Sequence, residues 1–312
     1  MSTSPFALSI VRPIQITDAM LLDTDILEDD YAEWASGTTY AEGDRVIISA
    51  THKVYESLVG SNTGNPPATS PTQWIEVGAT NRWKLFDTLN SSQTRQDDSP
   101  RGYFYYELEL GQPINALAAL NITNGTKVTI TMESPSVGSP SVVYFEEVDL
   151  TPYPQTSDWW AWFFGNRIIP TQIVKTDLPA YPDATIKVEF EGGDDLAVGT
   201  LLFGQQNKFG LGIQYGARVG IQDYSIKQTN EFGDVVLLQR AFAKRANFTL
   251  FLNKSETDTL QLILSNLRAV PCLWIGSVDY ESTVIYGFYK NFDVLISYPE
   301  HSECDLEIEG LT

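Results

Sequence analysis

The sequence predicts a mainly β protein: a small β module, a β-sandwich of jelly-roll type, and a C-terminal α+β domain with one main helix. Three observations carry that expectation. Stretches such as 185–191 alternate apolar and polar residues with the period of two that a half-buried strand requires. The 22 glycines and 16 prolines cut the chain into short runs, as turns do in an all-β fold. Helical spacing of apolar residues is sustained in one place only, around residues 255–267. At 312 residues the chain has room for two domains, or three if one is small.

Residues 1–30 read as an N-terminal arm and acidic linker. Val11-Arg12-Pro13-Ile14-Gln15-Ile16 alternates like a strand, and its proline suits a sheet edge, where a missing N–H breaks no ladder. Asp23, Asp25, Glu28, Asp29 and Asp30 then read as a solvated run. Residues 31–79 form a distinct unit: Gly43-Asp44 as a turn, 45–48 and 52–57 as strands, 60–67 as a loop, and 74–77 as the closing strand. So small a unit buries little surface, and Trp34, Tyr40, Tyr55 and Trp74 are expected to supply most of its core.

Residues 80–206 read as the sandwich, with 103–110, 127–133, 142–148 and 185–191 its clearest strands. In the last of these Ile186, Val188 and Phe190 share one face. Residues 207–312 read as the α+β domain. Its helix is expected to be capped by Ser255 with Asp258 three residues on, and to bury Leu260, Ile263, Leu264 and Leu267. Strands are expected at 271–276, 283–289, 293–298 and 302–308. In the last, Cys304, Leu306 and Ile308 alternate with Glu303, Asp305, Glu307 and Glu309, a ladder of carboxylates.

Composition excludes several functions. With 40 Asp+Glu against 20 Lys+Arg, the net charge of −20 argues against nucleic acid and against anionic membranes as partners. The longest apolar runs fall short of a membrane helix, so no membrane insertion is expected, and Met1 to Leu8 does not read as a signal peptide. Two histidines, His52 and His301, and two cysteines, Cys272 and Cys304, match no metal-ligand spacing and form no disulfide framework. No cofactor and no metal are expected.

Candidate sites are few. In Trp159-Trp160-Ala161-Trp162-Phe163-Phe164, read as a strand, both faces are apolar, which leaves core, subunit interface and sugar platform open. Trp159, Trp160 and Phe164 are the interface candidates, and Trp160 and Trp162 the sugar-stacking ones. Adjacent acids, Glu146-Glu147, Asp194-Asp195 and Asp97-Asp98, are weak candidates for the paired carboxylates of glycoside hydrolysis. Gly210-Leu211-Gly212 has the wrong glycine spacing for a dinucleotide loop. Gly192-Gly193-Asp194-Asp195 reads as a hairpin turn, with calcium ligation as the other reading.

Residues 31–79 resemble the small chitin-binding modules of carbohydrate-binding family 5/12, through Trp34, Ser36, Thr39-Tyr40, Gly43-Asp44-x-Val46, Tyr55, Pro66 and Trp74. That resemblance makes Trp34, Tyr55 and Trp74 candidate sugar-binding residues, with core as the other reading. In the family exposed aromatics commonly follow the second tyrosine, whereas Ser57-Leu58-Val59-Gly60 stands there in this chain. Nearly the whole length resembles tail proteins of long-tailed, siphovirus-like bacteriophages. The carriers are Arg12-Pro13-Ile14 with Thr17-Asp18-Ala19-Met20-Leu21, then 31–34, 80–87, Tyr280-Glu281-Ser282-Thr283, 286–290 and 306–311. The sandwich is expected to be of the jelly-roll, galactose-binding-like type.

The resemblance implies a non-enzymatic structural virion component of the distal tail or baseplate, made in the host cytoplasm. Its partners would be copies of itself around the tail axis and other tail or baseplate proteins. The alternative is a host-glycan adhesin or receptor-binding protein that contacts cell-surface polysaccharide, and a glycoside hydrolase ranks behind both. Because −20 per chain would multiply around a ring, residues 23–30 and the 303–309 face are expected to meet solvent or basic neighbours.

Overall fold

The computed structural model describes residues 7–96, 102–138, 141–151, 158–164, 169–214, 216–229, 233–277, 280–296 and 298–311. The fold is mainly β and antiparallel, and one main helix stands in its C-terminal part. Two compact units divide it, Gln15–Leu202 and the combination of Met1–Ile14 with Phe203–Thr312.

In the Gln15–Leu202 unit the small module holds a three-stranded sheet of Arg45–Ile48, Lys53–Ser57 and Trp74–Ala79, beside the short pair Thr39–Tyr40 and Asn62–Thr63. Gly43 supplies the positive φ of 87° that the turn before Arg45 needs. The core is Tyr40, Val46, Tyr55 and Trp74, with Trp34 and Ile48 packed against it. Two of the buried aromatics also place their polar ends: the Tyr40 hydroxyl accepts from Ala35 N–H at 2.8 Å, and Trp74 Nε1 donates to the Asn65 carbonyl at 2.9 Å.

The remainder of this unit is built on two long strands, Ala116–Ser134 and Thr185–Phe209. Tyr103–Glu109 pairs antiparallel with the start of the second, Thr185 opposite Glu109 and Glu191 opposite Tyr103. Ser141–Asp149 and Gln172–Lys175 both pair with the first. Ile186, Val188 and Phe190 are buried, as their alternation predicts. Gly192-Gly193-Asp194-Asp195, expected as a turn, instead lies inside the Thr185–Phe209 strand. The glycine serves close approach: a Cβ on Gly192 would fall 2.3 Å from the Asn124 carbonyl oxygen.

The acidic stretch before the module is not a solvated linker. Asp25 Oδ1 accepts from Tyr105 N–H at 2.9 Å, Asp23 Oδ2 from the Tyr105 hydroxyl at 2.6 Å, and Asp30 from Asn81 N–H at 3.0 Å. Hydrogen bonding to Asp23 pushes the Tyr105 hydroxyl up to about 12. His52 stacks on Trp83 at 4.0 Å between ring centroids. Its Nδ1 lies 3.0 Å from Glu28 Oε1 and its Nε2 lies 2.7 Å from Asp18 Oδ1. Glu28 Oε1 also accepts from the Thr80 hydroxyl at 2.8 Å. Charge density along residues 23–30 suggested solvent, but the carboxylates serve as acceptors that fix the strap in place.

In the other unit, strand Leu8–Pro13 is central, not an edge: it pairs with 204–209 on one side and with Cys272–Ile275 on the other. Pro13 is tolerated because the second ladder ends at Val11. Beyond Cys272–Ile275 come Val284–Leu295, His301–Gly310 and Phe242–Asn253, and the last pairs with both Gly212–Ile213 and Arg218–Asp223. The strands expected at 283–289 and 293–298 are thus one strand that ends at Leu295, with a register shift between Tyr289 and Asn291. Helix Lys254–Asn266 is capped by Asn253 with Glu256, not by Ser255 with Asp258. The true cap lies two residues earlier because the preceding strand runs directly into the helix. Leu260, Leu264 and Leu267 pack into a core with Phe248, Trp274 and Leu306, and Ile263 lies against it.

Cys272 and Cys304 sit in that core, where burial pushes their thiols up to about 12 and about 11. We expect neither thiol to react with a disulfide reagent at pH 8 until the chain is unfolded, when both should. The unfolded chain loses these protons from about pH 8.5, while the folded chain keeps them. Their contribution to stability therefore falls as pH rises from there toward 11–12. A urea series at pH 8 and pH 10 checks the sign. Substituting His52→Asn keeps a residue that tolerates the left-handed φ of 56° but removes the ring that contacts Glu28 and Asp18 and stacks on Trp83. It should destabilise the Gln15–Leu202 unit by roughly 1–3 kcal/mol in chemical denaturation.

Candidate functional site

The sequence-predicted sugar-binding residues of the small module are core residues. Trp74 is 2% and Tyr55 7% exposed, so neither ring presents a face that a sugar could stack on. Trp34 is half-buried and packs on the same core. Period-two arithmetic does not tell a core aromatic from a platform, because both occupy the same strand positions.

The aromatic run forms a short helix, Trp159–Phe164, where a strand was expected. Asp158 Oδ1 accepts from Trp160 N–H at 3.1 Å. Rings four residues apart then meet on one side, Trp160 and Phe164 with centroids 4.3 Å apart. Trp159 is 68% and Trp160 58% exposed, and Phe163 and Phe164 are exposed as well. The Trp162 side chain lies outside the described residues. Four large aromatic side chains thus face water on six residues, and the helix brings together the interface candidates Trp159, Trp160 and Phe164.

None of the described acid pairs converges on one point. Glu146 and Glu147 are neighbours on a strand and so point to opposite faces. Glu147 meets Lys127 at 3.4 Å, whereas Glu146 accepts from the Lys175 ammonium and the Tyr144 hydroxyl. Burial alone would raise the Glu146 carboxyl, but Lys175 and Tyr144 outweigh it and hold Glu146 below its ordinary range. Burial, then Glu146, pushes the Tyr144 hydroxyl up. Glu146 is therefore a paired anion, poorly placed to give up a proton. Asp194 and Asp195 likewise alternate along a strand. Asp97 and Asp98 lie outside the described residues.

Two further surfaces stand in the unit formed by Met1–Ile14 and Phe203–Thr312. One is the hairpin of Ile226–Thr229 and Val235–Leu238, an isolated two-stranded sheet. Val235, Val236, Leu237 and Leu238 are all exposed, so apolar side chains face water on both sides of the ribbon. Val219, Ile221 and Phe242 continue the patch at its base. In the sequence it is marked by four consecutive apolar residues, 235–238, which lack the alternation of a half-buried strand. Arg218, Arg240 and Arg245 on the same segment have no carboxylate partner among the described residues.

The other surface is the carboxylate ladder, which the structure forms as the sequence predicts: Cys304, Leu306 and Ile308 are buried and the acids between them face outward. A groove of about 420 Å³ runs across it, lined among others by Arg218, Asn247, Thr249, Asn291, Asp293 and Asp305. Asp293 stands directly opposite Asp305 in the strand register. Like charges so placed repel unless something positive counters them. Asp305 accepts from the Thr249 hydroxyl at 2.6 Å, and Lys290 approaches Glu309 at 3.5 Å.

No protein-family model matches this sequence, and no curated protein matches it. Among solved structures the chain is similar to one titled CpGH89CBM32-6 produced by Clostridium perfringens. That likeness covers 38% of this chain and 81% of the other, at 10% identity and a TM-score of 0.26, and it carries no argument about function.

Proposed function

We propose that this chain is a structural component of the distal tail or baseplate of a long-tailed bacteriophage, and that it assembles with copies of itself and with neighbouring tail proteins. The observation that carries the reading is the apolar hairpin of Ile226–Thr229 and Val235–Leu238. An isolated two-stranded ribbon is marginally stable in water, and one with valine and leucine on both faces gains its stability by being covered. A second copy suits it by charge. Residues 208–254 carry seven Lys or Arg against three Asp or Glu, while residues 281–311 carry seven Asp or Glu against one lysine. A basic, apolar hairpin and an acidic sheet face on one chain favour head-to-tail contacts, which close into rings when the rotation permits. The tail-protein resemblance of residues 12–14, 17–21, 31–34, 80–87, 280–283, 286–290 and 306–311 supports the same reading.

Light scattering should find the purified chain as a salt-sensitive oligomer, and Leu237→Asp should convert it to monomer without lowering its unfolding midpoint. A wild-type chain that is monomeric at every salt concentration, and absent from purified particles, sinks the reading. The exposed rings of Trp159 and Trp160 favour a second reading, a host-glycan adhesin. On a glycan array that reading expects wild-type binding which Trp160→Ala abolishes, and an array blank for wild type removes it.

A further inference from the structure

Helix Lys254–Asn266 packs on the sheet face that carries Phe248, Leu250, Cys304 and Leu306. The residues of the opposite face are exposed or half-buried, and they fall into rows across three strands. Residues directly opposite in the register share a face, so Asp293, Asp305 and Thr249 form one row. Leu295, Glu303 and Phe251 form the next. This second row is apolar at both ends. Leu295 is 63% exposed and Ile296 beside it 75%. Phe251 lines a groove of about 520 Å³ together with Leu211, Ile213 and His301.

An apolar groove and a pair of opposed acids thus adjoin on one uncovered face. Lys290, the nearest lysine in sequence, reaches Glu307 and Glu309 and not Asp293 or Asp305. The hairpin carries the complement in both respects. Leu238 is exposed at the end of its apolar strand, and Arg240, two residues on, is exposed as well. Ser225 Oγ accepts from Arg240 N–H at 3.1 Å, which fixes that backbone, while the guanidinium makes no ion pair among the described residues. Two residues is also the step between the rows, from Phe251 to Thr249 and from Leu295 to Asp293. A small cation would answer the acids and leave the apolar row in water. A segment with both chemistries covers the two, and every copy of the chain carries one.

We propose that the groove at the Phe251–Leu295 row receives the hairpin of a second copy, with Leu238 on the apolar row and the Arg240 guanidinium between Asp293 and Asp305. This rests on the assembly reading above and names the surface that the hairpin meets. Donor and acceptor surfaces differ, so each copy gives its hairpin to one neighbour and accepts one from another. Arginine suits the acceptor because its planar fork bonds two carboxylates at once and removes their mutual repulsion.

The test co-expresses two differently tagged full chains, one with Leu238→Cys and the other with Leu295→Cys. Both positions are exposed, whereas Cys272 and Cys304 are buried. A short bismaleimide should link the two tagged chains covalently, and should link neither variant when it is expressed alone. Arg240→Glu places like charges together and should weaken self-association about tenfold or more in light scattering, with the unfolding midpoint kept. An oligomer that gives no mixed product, or that Arg240→Glu leaves as tight as wild type, overturns this acceptor surface and leaves the assembly reading standing. A chain bearing both cysteines that links only within itself overturns it as well. A wild-type chain that stays monomeric at every salt concentration removes both.

Discussion

Leu8, Ile10 and Val11 are buried in a strand whose backbone is bonded along both edges, to 204–209 and to Cys272–Ile275. Much of the C-terminal unit depends on that double pairing. A strand in the middle of a sheet cannot be withdrawn without leaving two rows of N–H and C=O groups unpaired in a dry interior. The chain's first described residues therefore complete a unit made mostly of its last hundred or so. Ser9 faces Lys208 on one side and Ile275 on the other, a separation in sequence that makes closure of this sheet a late, non-local event in folding. The same residues explain why a proline could stand at position 13: it lies past the last bonded pair on the Cys272–Ile275 side.

In the Gln15–Leu202 unit the equivalent constraint is polar. Asp23, Asp25, Glu28 and Asp30 each accept hydrogen bonds from the segments they cross, and His52 joins Glu28 to Asp18 while lying on the Trp83 ring. A net charge of −20 thus overstates the free negative field, because part of it is spent as acceptors for backbone N–H, tyrosine, threonine and histidine. What remains uneven is its distribution. The 208–254 segment is basic and apolar, and the sheet face at 303–309 is acidic. For a protein that self-associates, such a split sets both the orientation of neighbours and their sensitivity to salt.

The small module shows how far composition alone could go toward a site. Trp34, Tyr40, Tyr55 and Trp74 were legible as a group, and the structure brings them together. Their role as core was legible from the small size of the unit and the structure bears it out, but the sugar-binding alternative could not be separated by pattern, since a ring buried against Val46 and a ring offered to solvent have the same sequence signature. The run Trp159–Phe164 went the other way. Its residues read as a strand apolar on both faces, with core, interface and sugar platform all open, because six aromatic and small residues carry no helical period long enough to read. Local chemistry decided it: Asp158 accepts from the N–H of Trp160, and the Trp160 ring meets that of Phe164 at a tilt one turn later.

The sequence by itself determined the β class, the alternation that buries Ile186, Val188 and Phe190, the helix face of Leu260, Leu264 and Leu267, and the carboxylate ladder beside Cys304. Each of these is a local pattern, set by which side of one element is apolar. Only the tertiary structure decided that Leu8–Pro13 is central, that the acidic strap is docked, and that Gly192 sits inside a strand rather than a turn. It also decided that Asp87 Oδ2 and Asn90 Oδ1 are buried without a hydrogen-bond partner among the described residues. These features depend on what lies across the gap: a second strand, a donor more than twenty residues away, or the absence of one. A linear pattern states which groups need a partner, and folding alone settles which of them find it.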